Sequence, residues 1–135
     1  MKTLIVEDEL TSRIILQRIL SPYGEVHLSL NGGEAIDAFK SALDQGSPFD
    51  LICMDFMMPE LDGRTALVRI RTIETEKGIN QADRVKVIMT TGLRNINTEY
   101  DDITSLCDAV IQKPVRKDNL TQFLQKIMKI SPISL

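Results

Sequence analysis

Five residues of this 135-residue chain have types that belong together chemically: Glu7, Asp8, Asp55, Thr91 and Lys113. Each stands at or just after the carboxyl end of a short apolar run. Glu7-Asp8 follow Lys2 to Val6, Asp55 closes Asp50 to Asp55, Thr91 follows Val85 to Thr90, and Lys113 follows Ala109 to Gln112. Carboxylates gathered in one crevice repel one another, so without a cation their pKa values rise or the site is destabilised. Hard oxygen ligands with no His or Cys among them suit Mg²⁺, which typically takes one or two carboxylates, waters and phosphoryl oxygens. A hydroxyl donor and an ammonium beside such a metal suit phosphoryl oxygens. The chemistry in view is the handling of a metal-bound phosphoryl group.

The elements that must carry these residues are readable from the pattern. With Glu25 to Leu30 added, five apolar runs rich in Val, Ile and Leu alternate with segments of helical period at Glu9 to Leu20, Gly33 to Ala42, Arg64 to Lys77, Ile96 to Leu106 and Lys117 to Ile130. Three of the runs are apolar almost throughout, as strands are when helices cover both faces of a parallel sheet. Ser21-Pro22-Tyr23-Gly24, Asn31-Gly32-Gly33, Gly46-Ser47-Pro48 and Met58-Pro59 separate the periodic segments with turn chemistry. Five βα units predict an α/β fold, a right-handed doubly wound sheet whose ligands gather beyond the carboxyl ends of the strands. All five candidate residues fall at that edge.

The whole-chain arithmetic agrees with one ordinary domain. The balance of 16 Lys plus Arg against 19 Asp plus Glu, a formal net charge of -3, leaves no basic surface for a nucleic-acid backbone. No apolar run approaches the roughly 20 residues that span a bilayer, and the start turns acidic at Glu7-Asp8-Glu9 too early for a signal peptide. Cys53 and Cys107 form no CxxC or Cys/His cluster, so buried reduced thiols and a cytoplasmic location are expected. The domain is predicted over residues 1–130, with 131–135 as a short tail, which leaves no room within these 135 residues for an output domain; whether they belong to a longer protein stays open.

With these pieces in family order, the chain resembles the receiver domain of two-component response regulators, especially the stand-alone type related to the chemotaxis regulator. The resemblance rests on Glu7-Asp8, on Asp55-Phe56-Met57-Met58-Pro59-Glu60-Leu61-Asp62-Gly63 matching the family's DxxMPxxDG, on Thr91-Gly92 and on Lys113-Pro114, and it covers essentially the whole chain. It implies a (βα)5 sheet in the flavodoxin-like order 2-1-3-4-5. It also implies phosphorylation of Asp55 by a histidine kinase or histidine phosphotransfer protein, with Mg²⁺ required. Carried over, Asp55 is the phosphoacceptor, Asp8 a direct metal ligand and Glu7 a ligand largely through water. The backbone carbonyl of Met57 completes the protein's share, Thr91 and Lys113 bind phosphoryl oxygens, and Lys113-Pro114 is cis. Such a chain is not an enzyme in the usual sense, since it catalyses only its own phosphorylation and dephosphorylation and signals by switching protein contacts.

Two departures carry expectations of their own. Glu7 stands where an Asp is often found, and Val110 stands where the family commonly places a Tyr or Phe that swings inward with the Thr. A Val cannot be that lever, so signalling is expected to rely instead on loop and helix rearrangement around Gly92 to Tyr100. Met57 and Leu93, two residues after Asp55 and Thr91, offer an incoming water no strong hydrogen bond, and slow self-dephosphorylation is expected. On the first helix, Ile15, Leu16 and Ile19 are expected inward and Leu10 and Ile14 outward, the outward pair suiting a helical-bundle partner.

The same residues admit other readings. Glu7, Asp8 and Glu9 taken alone read as acids at a helix N-terminus, Asp62 as the N-cap of the third helix, Lys113 as a solvated lysine and Thr91 as a cap. His27 reads as structural. A flavodoxin-like cofactor binder shares the layout but needs a Ser/Thr/Gly-rich phosphate loop where Glu7-Asp8-Glu9 stands. A receiver-shaped interaction module that signals without phosphorylation is the remaining alternative.

Overall fold

The computed structural model describes residues 1–58, 60–92 and 104–130. Strands β1 (Lys2–Val6), β2 (Glu25–Ser29), β3 (Leu51–Asp55), β4 (Lys86–Thr91) and β5 (Ala109–Gln112) form one parallel sheet in the order β2-β1-β3-β4-β5. Helices α1 (Leu10–Leu20), α2 (Gly32–Asp44), α3 (Gly63–Glu76) and α4 (Lys117–Phe123) cover it. The expected helix from Ile96 to Leu106, the entrance residue Leu93 and the tail 131–135 lie outside the described residues, wholly or for the most part.

Strand alternation divides the core in two, as a period of two requires. Leu4, Val6, Ile52, Met54, Val87 and Met89 pack with Phe39 of α2 and Leu67 and Ile70 of α3. Ile5, Leu51, Cys53 and Ile88 pack with Leu16 and Leu20 of α1 and Leu120 and Phe123 of α4. With both faces covered, every residue of β3 is buried, which explains its unbroken apolar run.

Capping fixes where the helices start. Glu9 is the N-cap of α1, its carboxylate accepting from the Thr11 and Ser12 N–H groups at 3.1 and 2.6 Å. Asp62 caps α3 as expected, accepting from Thr65 N–H at 2.8 Å.

Two expectations about helices need correcting. Leu16, Ile19 and Leu20 are buried on α1, but Ile15 is 36% exposed and joins Leu10 and Ile14 outside. The reason is angular: the three buried residues centre an arc from which Ile15 stands about 90° away. The last helix is regular only to Phe123. It continues as a π-helical turn over Leu124–Met128 that closes where Lys129, left-handed at φ 54, donates its N–H to the Leu124 carbonyl.

Candidate functional site

Parallel strands deliver their carboxyl ends to one edge, and the ladder runs one residue past each strand to fix the site. Glu7 N–H donates to the Ser29 carbonyl (3.1 Å), Phe56 N–H to the Thr90 carbonyl (2.9 Å) and Lys113 N–H to the Thr91 carbonyl (2.7 Å). The side chains that follow are therefore held by backbone.

Glu7, Asp8 and Asp55 come together here. One carboxylate oxygen from each lies within 4.8 Å of the others, with Glu7 and Asp55 buried and Asp8 exposed. Lys113 is the cation between them, its Nζ 2.6 Å from Glu7 Oε1 and 3.0 Å from Asp55 Oδ2. The remaining Asp55 oxygen, Oδ1, accepts from Met57 N–H at 3.2 Å. Thr91 is fully buried at the end of β4, and the Met57 side chain is 65% exposed at the mouth. The Lys113-Pro114 bond is cis, as expected.

Electrostatically the crevice is under-compensated. Burial pushes the Glu7 carboxyl up to about 7, against the opposing pull of Lys113, with Asp55 adding to the rise. Burial also works to lower Lys113, but its ion pairs with Glu7 and Asp55 outweigh it, and the ammonium is held more firmly protonated than a free lysine. Glu7 Oε1 is buried without a hydrogen bond of good geometry. Two buried carboxylates sharing one ammonium, with the Asp8 carboxylate beside them, form an all-oxygen donor set with negative charge left over, which fits a hard divalent cation.

Glu9 belongs to a different job. The Ser12 hydroxyl and the Ser12 and Thr11 N–H groups hold its carboxyl down at about 2, so the third acid of Glu7-Asp8-Glu9 caps the helix and leaves the crevice to the first two. Of the three acids, Glu9 is the one that acts at the helix N-terminus.

Gly63 has a role here that no spacing argument assigned to it. Its N–H donates to the Phe56 carbonyl at 3.1 Å, and a Cβ at this position would lie 2.3 Å from the Asp55 carbonyl oxygen and 3.0 Å from Met89 Cε. The first turn of α3 therefore sits on the backbone of Asp55, a contact that only glycine permits. The Asp62-Gly63 pair, next to a helix start, was the available signal.

A family model for the response regulator receiver domain matches residues 3–125. The chain belongs to that family. It is 30% identical to the chemotaxis protein CheY of Bacillus subtilis, covering 94% of this receiver and 97% of that protein. Among solved structures it is similar to the receiver domain of Saccharomyces cerevisiae Ssk1, crystallised with the histidine phosphotransfer signalling protein Ypd1 (TM-score 0.78, 27% identity, covering 93% of this receiver and 86% of that chain). It is also similar to the receiver domain of the Arabidopsis thaliana histidine kinase CKI1 complexed with Mg²⁺ and BeF₃⁻ (TM-score 0.74, 28% identity, 95% and 87% covered). This receiver spans 13% of the length of the rice probable histidine kinase 2 that it also matches.

The expected fold class and strand order are those observed. Both cysteines are buried and free, and burial pushes the Cys53 thiol up to about 12, which keeps it unreactive. His27 pairs with Glu25 and sets its ring edge-on to Phe49 at 5.4 Å, a structural setting. Among the described residues no helix is long and apolar enough to cross a membrane.

Proposed function

We propose that this receiver accepts a phosphoryl group on Asp55 from the phosphohistidine of a histidine kinase or histidine phosphotransfer protein, and signals through changed protein contacts. The observation that carries the reading is Lys113 Nζ, which bridges Glu7 Oε1 and Asp55 Oδ2, two buried carboxylates that share this one ammonium with the Asp8 carboxylate close by. In the transfer an Asp55 oxygen attacks phosphorus, the P–N bond breaks, and the departing imidazole takes up a proton. Asp8, Glu7, Asp55 and the Met57 carbonyl are the residues that would hold Mg²⁺, which supplies charge neutralisation on the phosphoryl oxygens. Lys113 and Thr91 are assigned the other phosphoryl oxygens. Alignment and charge neutralisation are most of what phosphoryl transfer asks of a protein. The receiver acts on itself alone and turns over no separate substrate.

The face assigned to the donor is α1. Leu10, Ile14 and Ile15 are exposed directly after the acidic pair, and the Ssk1 receiver was crystallised with a histidine phosphotransfer protein. Two free buried thiols fit a reducing compartment, the cytoplasm.

The test is intact-mass measurement after incubation with a small acyl phosphate. One phosphoryl group should add to the wild type with Mg²⁺, and none with chelator or in Asp55→Asn. Equal labelling of that variant would overturn the assignment. Ile14→Lys should slow transfer from a phosphotransfer protein while leaving acyl-phosphate labelling intact; equal slowing of both would remove the docking role.

A further inference from the structure

Asp108 lies at the other end of β5 from the carboxylate crevice, and nothing in the transfer step uses it. It makes two bonds to one residue of β4: its N–H donates to the Val87 carbonyl at 2.8 Å, and its Oδ2 accepts from the Val87 N–H at 2.8 Å. The next pair along is Ala109 with Ile88, where the β5 ladder begins. Asp108 thus closes on β4 immediately before the ladder starts.

Arg71 of α3 holds the same point from the side. Its Nε donates to the Leu106 carbonyl at 2.8 Å, and its Nη2 stands 3.5 Å from Asp108 Oδ2. Nη1 donates to Glu74 Oε1 and to the Val85 carbonyl, each at 2.8 Å, and Glu74 Oε2 accepts from the Val85 N–H at 2.7 Å. Arg71 and Glu74 are 8% and 4% exposed. Arg84 and Lys86 approach Asp108 Oδ1, each at 4.0 Å.

What this grip fixes is the shortest of the five strands of the sheet. β5 has four residues, lies at the edge, pairs with β4 alone, and none of its residues is fully buried. Little burial pins its register, and a slip of one residue would move the chain by about 3.3 Å and turn every side chain to the other face. Lys113 follows β5 directly and contacts Asp55 and Glu7 at 3.0 and 2.6 Å, distances that such a slip would destroy.

We propose that Asp108, braced by Arg71, sets the register of β5 and thereby seats Lys113 at the phosphoacceptor. Both are positioning residues for phosphoryl transfer, acting through the strand rather than on the reacting atoms. The inference rests on the reading of Asp55 as the acceptor.

The experiment is a double-mutant cycle on the full chain, with labelling by a small acyl phosphate and Mg²⁺ timed by intact mass and thermal unfolding recorded for each variant. Asp108→Ala should slow labelling on the order of tenfold in the wild-type background and leave it unchanged in Lys113→Met, because the effect passes through Lys113. Asp108→Asn keeps an acceptor for the Val87 N–H and should label within about twofold of wild type. Should the alanine variant fail to fold, Asp108→Ser carries the same cycle. Equal slowing in both backgrounds, or no slowing in either, overturns the proposal. An unlabelled wild type overturns the acceptor reading along with it, whereas a labelled wild type with additive effects overturns this inference alone.

Discussion

Two clusters of acids and bases among the described residues, one at each end of β5, serve opposite purposes. Around Arg71, Glu74 and Asp108, carboxylate oxygens meet backbone N–H groups at 2.7 and 2.8 Å, and the guanidinium donates to two carbonyls and a carboxylate. Around Asp55, one Lys113 serves two buried carboxylates, Glu7 Oε1 has no hydrogen bond of good geometry, and burial drives the Glu7 carboxyl up to about 7. In the first cluster Arg71 Nη2 stands 3.5 Å from Asp108 Oδ2 without a hydrogen bond, but both carboxylates meet a backbone N–H within 2.8 Å and the guanidinium is held at its other nitrogens, so the cluster holds its shape. The second leaves charge for something else to neutralise, which is how a binding site differs from a clamp made of the same residue types.

Breaking the clamp should have the largest effect. Arg71→Met leaves two carboxylates buried without their guanidinium and should cost about 3–5 kcal/mol in urea unfolding. A loss within experimental error would place this cluster among the ordinary surface ion pairs.

Breaking the crevice should do the reverse. The Glu7 carboxyl is raised from 4.5 to about 7, so its contribution to stability is fully present below pH 4.5 and is lost as pH rises through 7. Glu7→Gln should therefore stabilise the metal-free protein at pH 8 by on the order of 2–3 kcal/mol and flatten the pH dependence between 4.5 and 7. Denaturant midpoints at several pH values in chelator measure this directly, and a destabilised variant would count against it.

Mg²⁺ should sharpen the contrast. At 100 times its dissociation constant it should add about 2.7 kcal/mol of stability to the wild type. The gain should shrink at pH 5, where Glu7 is protonated, and in Asp8→Ala, but persist in Asp108→Asn. Thermal unfolding with and without the metal separates these cases. The smallest effect belongs to the mouth, where Met57→Asn should hasten loss of phosphoryl label roughly fivefold if a positioned water is worth about 1 kcal/mol. Slower decay in that variant would show that the side chain does not govern access.

Much of this architecture can be read in advance because it follows from periodicity. A strand buried on both faces has to be apolar throughout, so β1, β3 and β4 announce themselves, and a parallel sheet then delivers Glu7, Asp8, Asp55, Thr91 and Lys113 to one edge. What cannot be read is which of several identical groups does which job. Glu7 and Glu9 are the same residue type, and only the fold buries the first beside Asp55 and Lys113 while it leaves the second exposed to cap α1. Arg71 and Glu74 look like an exposed i, i+3 pair on α3, and nothing local shows that Asp108, 37 residues beyond Arg71, closes over them. Ile15 fails for a milder reason, since a helix face has soft borders and a residue a quarter-turn off its centre can lie on either side.

The clustering of the crevice from distant parts of the chain has a consequence for biogenesis. Lys113 and Asp55 are 58 positions apart, and the three residues that follow β1, end β3 and follow β5 meet only when the central strands and the last strand have docked. A chain in which β5 had not docked would hold the Asp55 carboxylate without the Lys113 ammonium, even where pairing of β1 with β3 had already brought Glu7 and Asp8 beside it. If Asp55 is the acceptor, as proposed above, labelling by an acyl phosphate during refolding should begin only once β5 has docked, and its onset should time that last event.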